Sequence, residues 1–178
     1  GGGFGLFAEE MRDLTGQTTI VIEPGPHLAE VCRKKSLSVI EKFLERVVPV
    51  DLPTGPKAFV SFELFEHLHD PARFLEQLTH LMASGDLFIF TTLSGSGVDI
   101  QALWEDSKSV TPPHHLNFLN PSAVKILLAR LGLETMEVTT PSKLDIDILV
   151  NNHSAIKDRF WQTFVVTASD DEKEQWQQ

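Results

Sequence analysis

The sequence predicts an α/β protein built on a doubly wound, mostly parallel sheet. Three observations predict it. Short apolar runs alternate with segments of helical periodicity from residue 6 to about residue 140. One run, Leu87-Phe88-Ile89-Phe90, is continuously apolar, as a strand covered on both faces requires. The two best-marked helices open on Asp70-Pro71 and Asn120-Pro121, a capping side chain followed by a proline suited to the first helical position.

In chain order, a glycine-rich turn, Gly1-Gly2-Gly3-Phe4-Gly5, leads into a helix with Leu6, Phe7, Met11 and Leu14 at helical spacing. Residues 18–23 read as a buried strand ending at the acidic Glu23 and the turn Pro24-Gly25-Pro26. Residues 27–34 form a short helix and residues 38–40 a short strand, with Phe43 and Leu44 in the loop beyond. Residues 57–61 are the next strand. The helix from Asp70 carries Phe74, Leu75, Leu78 and Met82 as its apolar stripe and stops at Gly85. Residues 86–92 make the central strand, and Ser94-Gly95-Ser96-Gly97 a loop. The helix from Asn120 turns Val124, Leu127, Leu128 and Leu131 inward and ends at Gly132. Residues 133–139 then alternate like a strand. Residues 142–178 read as helical, with Phe160, Trp161 and Phe164 as packing anchors.

Composition narrows the classes. A chain of 178 residues with 42% apolar residues is the size of one domain with a real core. A net charge of −10 speaks against nucleic acid, which demands a dense Lys/Arg face; Arg33-Lys34-Lys35 reads as the solvated end of a helix. Cys32 is the only cysteine, so no internal disulfide forms and a reducing, cytoplasmic setting fits. No apolar run approaches the ~20 residues that span a bilayer.

Gly1-x-Gly3-x-Gly5, a helix, then a strand ending in Glu23 is a nucleotide-binding arrangement. Glycines let backbone approach a ligand, and an acid at a strand tip accepts hydrogen bonds from ribose hydroxyls. Dinucleotide enzymes use G-x-G-x-x-G, but Leu6 holds the sixth position, and without tyrosine the Tyr-Lys pair of many short-chain dehydrogenases is excluded. An NAD-dependent oxidoreductase therefore remains the weaker alternative. The spacing also fits the loop that holds the amino-acid part of S-adenosylmethionine.

A longer stretch discriminates. Phe59-Val60-Ser61-Phe62-Glu63-Leu64-Phe65-Glu66-His67-Leu68, followed by Asp70-Pro71, resembles the fourth-strand motif of small-molecule, class I (Rossmann-like) S-adenosylmethionine-dependent methyltransferases. Ser84-Gly85-Asp86 stands where that family usually has Pro-Gly-Gly. Pro112-Pro113-His114-His115-Leu116-Asn117-Phe118 is similar to its Pro-x-His-Leu segment, and Leu131-Gly132-Leu133 to its helix-to-strand junction. The resemblance implies a methyltransferase domain over residues 1–140 and a helical extension of it over 141–178. It also implies a chain cut short at both ends, since the first strand is missing and a last strand is hard to find in residues 142–178. Two unpaired strand edges are then expected inside the domain, with a homodimer as one way to cover them.

By the same resemblance, Gly1, Gly3 and Glu23 contact the cofactor, Phe43 and Leu44 lie near its adenine, and Ser61 and Phe62 line its methionine end. On the residues alone, Phe43 and Leu44 read equally well as core packing. Methyl transfer is an in-line displacement that positioning accelerates without a covalent nucleophile. A small-molecule hydroxyl, slightly preferred to an amine as acceptor, benefits from a base, and His115 and His67 are the candidates. Glu63-x-x-Glu66-His67 would share one helical face and bind Mg²⁺ or Ca²⁺. That spacing resembles the ubiquinone-pathway O-methyltransferases, where it is linked to metal, although acids are favourable at a helix start in any case. A methyltransferase-like binding module without turnover is the reading from another class.

Overall fold

Asp70 and Asn120 cap helices as the sequence predicts, and the strands pair in parallel. The computed structural model describes residues 1–140 and 146–176; residues 141–145 and 177–178 of the expected helical extension lie outside them. The chain divides into two units, Gly1–Thr91 and Thr92–Gln178.

In the first unit, α1 (Leu6–Thr15) ends at Gly16, whose amide donates to Arg12 O from a left-handed conformation. β1 (Ile20–Ile22) is shorter than the expected strand of residues 18–23. α2 (Pro26–Lys34) then returns the chain to β2 (Ser38–Ile40), parallel to β1 with Ile20 opposite Ser38 and Ile22 opposite Ile40. Val21, Cys32 and Leu37 form a small core here, with Ala8 and Val39 packed on it. α1 lends little to this core. None of its residues is fully buried, and Leu6, Phe7, Met11 and Leu14 are all exposed.

The second strand pair repeats the plan. β3 (Ala58–Ser61) lies parallel to β4 (Leu87–Phe90), and α3 (Pro71–Leu81) connects them. Asp70 Oδ1 accepts the Arg73 amide at 3.0 Å, and Phe74, Leu75, Leu78 and Leu81 are buried. Leu81 completes the stripe expected to reach Met82. Met82 instead takes the C-cap, three residues ahead of Gly85, because the Asp86 carboxylate draws the Ala83 amide into a turn at 2.9 Å. The expected burial of β4 on both faces is also corrected. Leu87 and Ile89 are 44% and 50% exposed, and Val60, opposite Ile89, is exposed too. The other face carries Phe88 and Phe90, stacked at 4.8 Å and half-buried. Among the described residues β1 pairs only with β2 and β3 only with β4, so each pair stands as its own two-stranded sheet.

In the second unit, α4 (Val98–Leu103) follows the Ser94–Gly97 loop. At six residues it is too short for periodicity to announce it. α5 (Pro121–Arg130) is capped by Asn120 Oδ1, which accepts the Ala123 amide at 2.8 Å. Of its expected inward residues only Leu128 is fully buried, while Val124, Leu127 and Leu131 are half-buried. The strand expected over residues 133–139 does not form. Alternation alone makes no strand without a partner to pair with, and Met136 is 82% exposed.

The expectation of helices toward the C-terminus holds, in α6 (Ile146–Asn151), α7 (Arg159–Thr167) and α8 (Asp170–Trp176). Ala102, Leu103, Ile146, Leu149, Ile156 and Val165 make the core of this unit, with Trp161 and Phe164 packed against it. Phe160 is not an anchor of that core. It is 55% exposed and lays its ring on Trp161 and Phe164.

Candidate functional site

Glu23 stands just past β1, where its amide extends the ladder to Ile40 O at 3.1 Å, and it is only 5% exposed. A buried carboxylate needs donors. Oε2 accepts the Gly3 amide at 3.0 Å and Oε1 the Gly25 amide at 2.9 Å. One side chain therefore fastens the glycine loop to the Pro24-Gly25-Pro26 turn. Gly25 was not foreseen as part of this arrangement; the spacing Glu-x-Gly after a strand is the signal for it.

The loop is fitted closely to β1. A Cβ on Gly2 would lie 2.0 Å from Val21 Cγ1, so no side chain fits there without displacement. Gly5 adopts φ 71°, and a Cβ would press within 2.8 Å of both Cys32 Sγ and Leu37 Cδ1. The Cys32 thiol donates to Gly3 O at 3.4 Å. Burial first, and then the charge of Glu23, pushes this thiol's pKa up, which keeps it the protonated donor that contact requires. Gly1 lies between strand ends: a Cβ there would sit 3.7 Å from both Glu23 Oε2 and Leu64 Cδ1.

The remaining expected cofactor residues fall in the same unit. Phe43 follows β2 and precedes a 3₁₀ turn over Leu44–Arg46; the residue is 58% exposed, which speaks against core packing for it, while Leu44 is half-buried. Ser61 closes β3. Phe62, next to it, is 42% exposed and meets the Phe7 ring edge-on at 4.8 Å.

The expected shared face of Glu63, Glu66 and His67 is not formed. Glu63 takes φ 46°, a conformation no α-helix contains, and its Oε1 accepts the Thr91 hydroxyl at 2.6 Å. Only Phe65–His67 makes a helical turn, of the 3₁₀ kind. Glu66 is 1% exposed on that turn and His67 is exposed. Glu63 is thus drawn to the end of β4, away from the helical register that spacing predicted.

In the second unit His115 is half-buried, and its Nδ1 lies 2.7 Å from Ser109 O. A carbonyl oxygen only accepts, so Nδ1 carries the proton and the lone pair of the neutral ring sits on Nε2. The nearby Thr111 Oγ is a longer contact at 3.4 Å, and the ring stands edge-on to Phe118. No helix among the described residues is long and apolar enough to cross a membrane.

Comparison with known proteins bears on the fold and the family. In fold the chain is similar to the crystal structure of a SAM-dependent methyltransferase, named a possible histamine N-methyltransferase, from Thermotoga maritima. The TM-score is 0.58 at 20% identity, over 76% of this chain and 61% of that one, so the present chain spans less than two thirds of that protein's length. The shared fold is the Rossmann-like α/β class, with small parallel sheets flanked by helices. No curated protein sequence matches the chain. A model of the methyltransferase domain matches residues 1–138, more than three quarters of the sequence. The chain belongs to the methyltransferase domain family.

Proposed function

We propose that this chain transfers the methyl group of S-adenosylmethionine to a hydroxyl of a small molecule. The observation that carries the reading is Glu23, whose two oxygens hold the Gly3 and Gly25 amides with one bond each. Each carboxylate oxygen accepts more than one hydrogen bond, so the acid that shapes the loop still has capacity for ribose hydroxyls. Gly1 and Gly3 offer bare backbone to the amino-acid end, the exposed Phe43 ring beside Leu44 offers a face to adenine, and Ser61 and Phe62 flank the methionine end. The residues present fit the ligand.

S-adenosylmethionine supplies a methyl group on a sulfonium sulfur, which leaves by in-line displacement. The protein's part is to position the reactants and to take the proton that the acceptor hydroxyl releases. His115 Nε2 is the base in this reading, supported by the proton that Ser109 O holds on Nδ1. His67, exposed on the turn after β3, is the other candidate. An amine acceptor, as in the name of the Thermotoga protein, is the alternative. A divalent cation such as Mg²⁺ would draw on Glu66 and His67 rather than on Glu63, whose carboxylate is held by Thr91. Chelation by EDTA that abolished activity, with recovery on adding Mg²⁺, would establish that role; full activity in EDTA would remove it.

The methyltransferase domain ends near residue 140 in this reading, and the helices beyond extend it. A homodimer would cover the strand edges that lack partners among the described residues.

Calorimetry with S-adenosylhomocysteine, S-adenosylmethionine and NAD tests the whole reading. Binding of the first two and not of NAD is expected. Binding of NAD alone would replace the reading with an oxidoreductase. Cofactor binding with no methyl transfer to any of a panel of phenols, alcohols and amines would leave a binding module.

A further inference from the structure

α1 presents its apolar stripe outward. Leu14 is 78% exposed, and Phe7 and Met11, at helical spacing from it, are exposed as well. The helix meets its own unit through Ala8, which packs on the core of Val21, Cys32 and Leu37, and through two polar side chains. Glu9 accepts the Lys35 ammonium at 2.7 Å, and Arg12 donates to Lys35 O at 2.8 Å. Part of the polar side of α1 is therefore bonded to the end of α2, while the apolar stripe faces away from it.

The sheet of the same unit has an apolar face of this kind too. Val60, Leu87 and Ile89 stand exposed on it, although a parallel sheet is ordinarily covered on both faces. The ladder runs on past Ser61, with Thr91 N donating to Ser61 O at 3.0 Å and Glu63 N to Thr91 O at 3.2 Å. Phe62 thus keeps the alternation and falls on the side of Val60. It is Phe62 that meets the Phe7 ring at 4.8 Å, so helix stripe and sheet face join into one apolar surface. Its residues expose on the order of 700 Å², above the roughly 300–600 Å² of the largest patch on a typical monomer and near the roughly 800 Å² per partner of a standard interface.

We propose that this surface is the interface of a symmetric dimer, in which α1 of one protomer lies on the β3–β4 face of its twin and the reverse. A two-fold axis pairs a surface with itself, so that surface must complement itself. This one does, because it sets a helix ridge beside a sheet face, the two layers that α/β proteins stack. Each copy supplies the layer the other lacks. None of these residues is charged, so two copies of net charge −10 meet here without burying like charges. The contact is between faces and needs no pairing of strand edges, and it holds whatever the acceptor of the methyl group is.

Sedimentation velocity of the full chain at rising concentration is the test. The unmodified protein should reach the mass of a dimer and no higher. Leu14→Glu and Ile89→Lys should each raise the dissociation constant about tenfold or more, since each would bury an unpaired charge. Thermal unfolding should show both variants folded; where Ile89→Lys is not, Val60→Lys, opposite it on β3, takes its place. Mixing the two variants should restore a dimer, because the introduced acid on one helix then meets the introduced base on the other copy's sheet, and the second contact stays native. Val50→Lys, at a loop residue 88% exposed and outside this surface, should change nothing. A monomer at every concentration would overturn the proposal, and co-sedimentation with phosphatidylcholine vesicles would then assign the face to a lipid surface. Open-ended assembly would overturn it, as would a dimer that neither variant weakens. Variants that stay monomeric when mixed would refute the helix-on-sheet arrangement.

Discussion

Asp86 grips Lys57 at two points: its Oδ1 accepts the Lys57 amide at 2.8 Å, and its Oδ2 lies 3.1 Å from the Lys57 ammonium. Oδ2 also accepts the Ala83 amide, and the side chain is only 2% exposed. One carboxylate thereby sets the start of β3 beside the start of β4 and fixes the turn that ends α3.

These contacts lower the pKa of Asp86, the Ala83 amide contributing most and Lys57 after it, while burial opposes them. A lowered carboxyl pKa stabilises the fold above the unfolded value, about 3.9, and that contribution is lost as pH falls through the lower folded value. Asp86→Ala should destabilise by about 1.5–3 kcal/mol at neutral pH, the range for hydrogen bonds to a charged group. Urea unfolding between neutral and acid pH checks it. The deficit of the variant should shrink toward the acid end, and a deficit constant with pH would contradict the assignment.

Glu23→Ala should weaken S-adenosylhomocysteine binding by roughly 1.5–3 kcal/mol. Glu23→Gln, which keeps one acceptor oxygen, should fall between the two. Calorimetry reads both, and unchanged affinity in a folded Glu23→Ala protein would sink the ribose role.

Phe43→Ala separates a ligand contact from a structural one. The ring is exposed, so stability should move by no more than about 0.5 kcal/mol. Affinity for S-adenosylhomocysteine should still drop by roughly 0.5–1.5 kcal/mol, the worth of an aromatic contact. The opposite pattern, lost stability with intact binding, would return Phe43 to packing.

What the sequence discloses is what a few neighbouring residues decide. Asp70 and Asn120 cap amides three positions on, so their helices are legible from a short window. Glu23 is legible as an acid at a strand tip, but its bonds to the Gly3 and Gly25 amides are not, because both partners are backbone. The turn at Glu63 is not, because the Thr91 hydroxyl that holds it lies 28 residues away. The apparent strand at residues 133–139 misleads for the converse reason: its alternation is local, but pairing is not. The Ser109 contact to His115 escapes notice because the acceptor is backbone, which every residue carries.

The two strand pairs, each closed by its own helix and joined by no ladder among the described residues, make two cooperative units of opening. Amide hydrogens of Ile20–Ile22 and Ser38–Ile40 should then exchange at a rate unrelated to those of Ala58–Ser61 and Leu87–Phe90. A ligand bridging Glu23, past the end of β1, and Phe62, past the end of β3, would change that. It would act as the staple between them, so S-adenosylhomocysteine should slow exchange in both groups together. Protection confined to one group would mean that the nucleotide touches one pair alone.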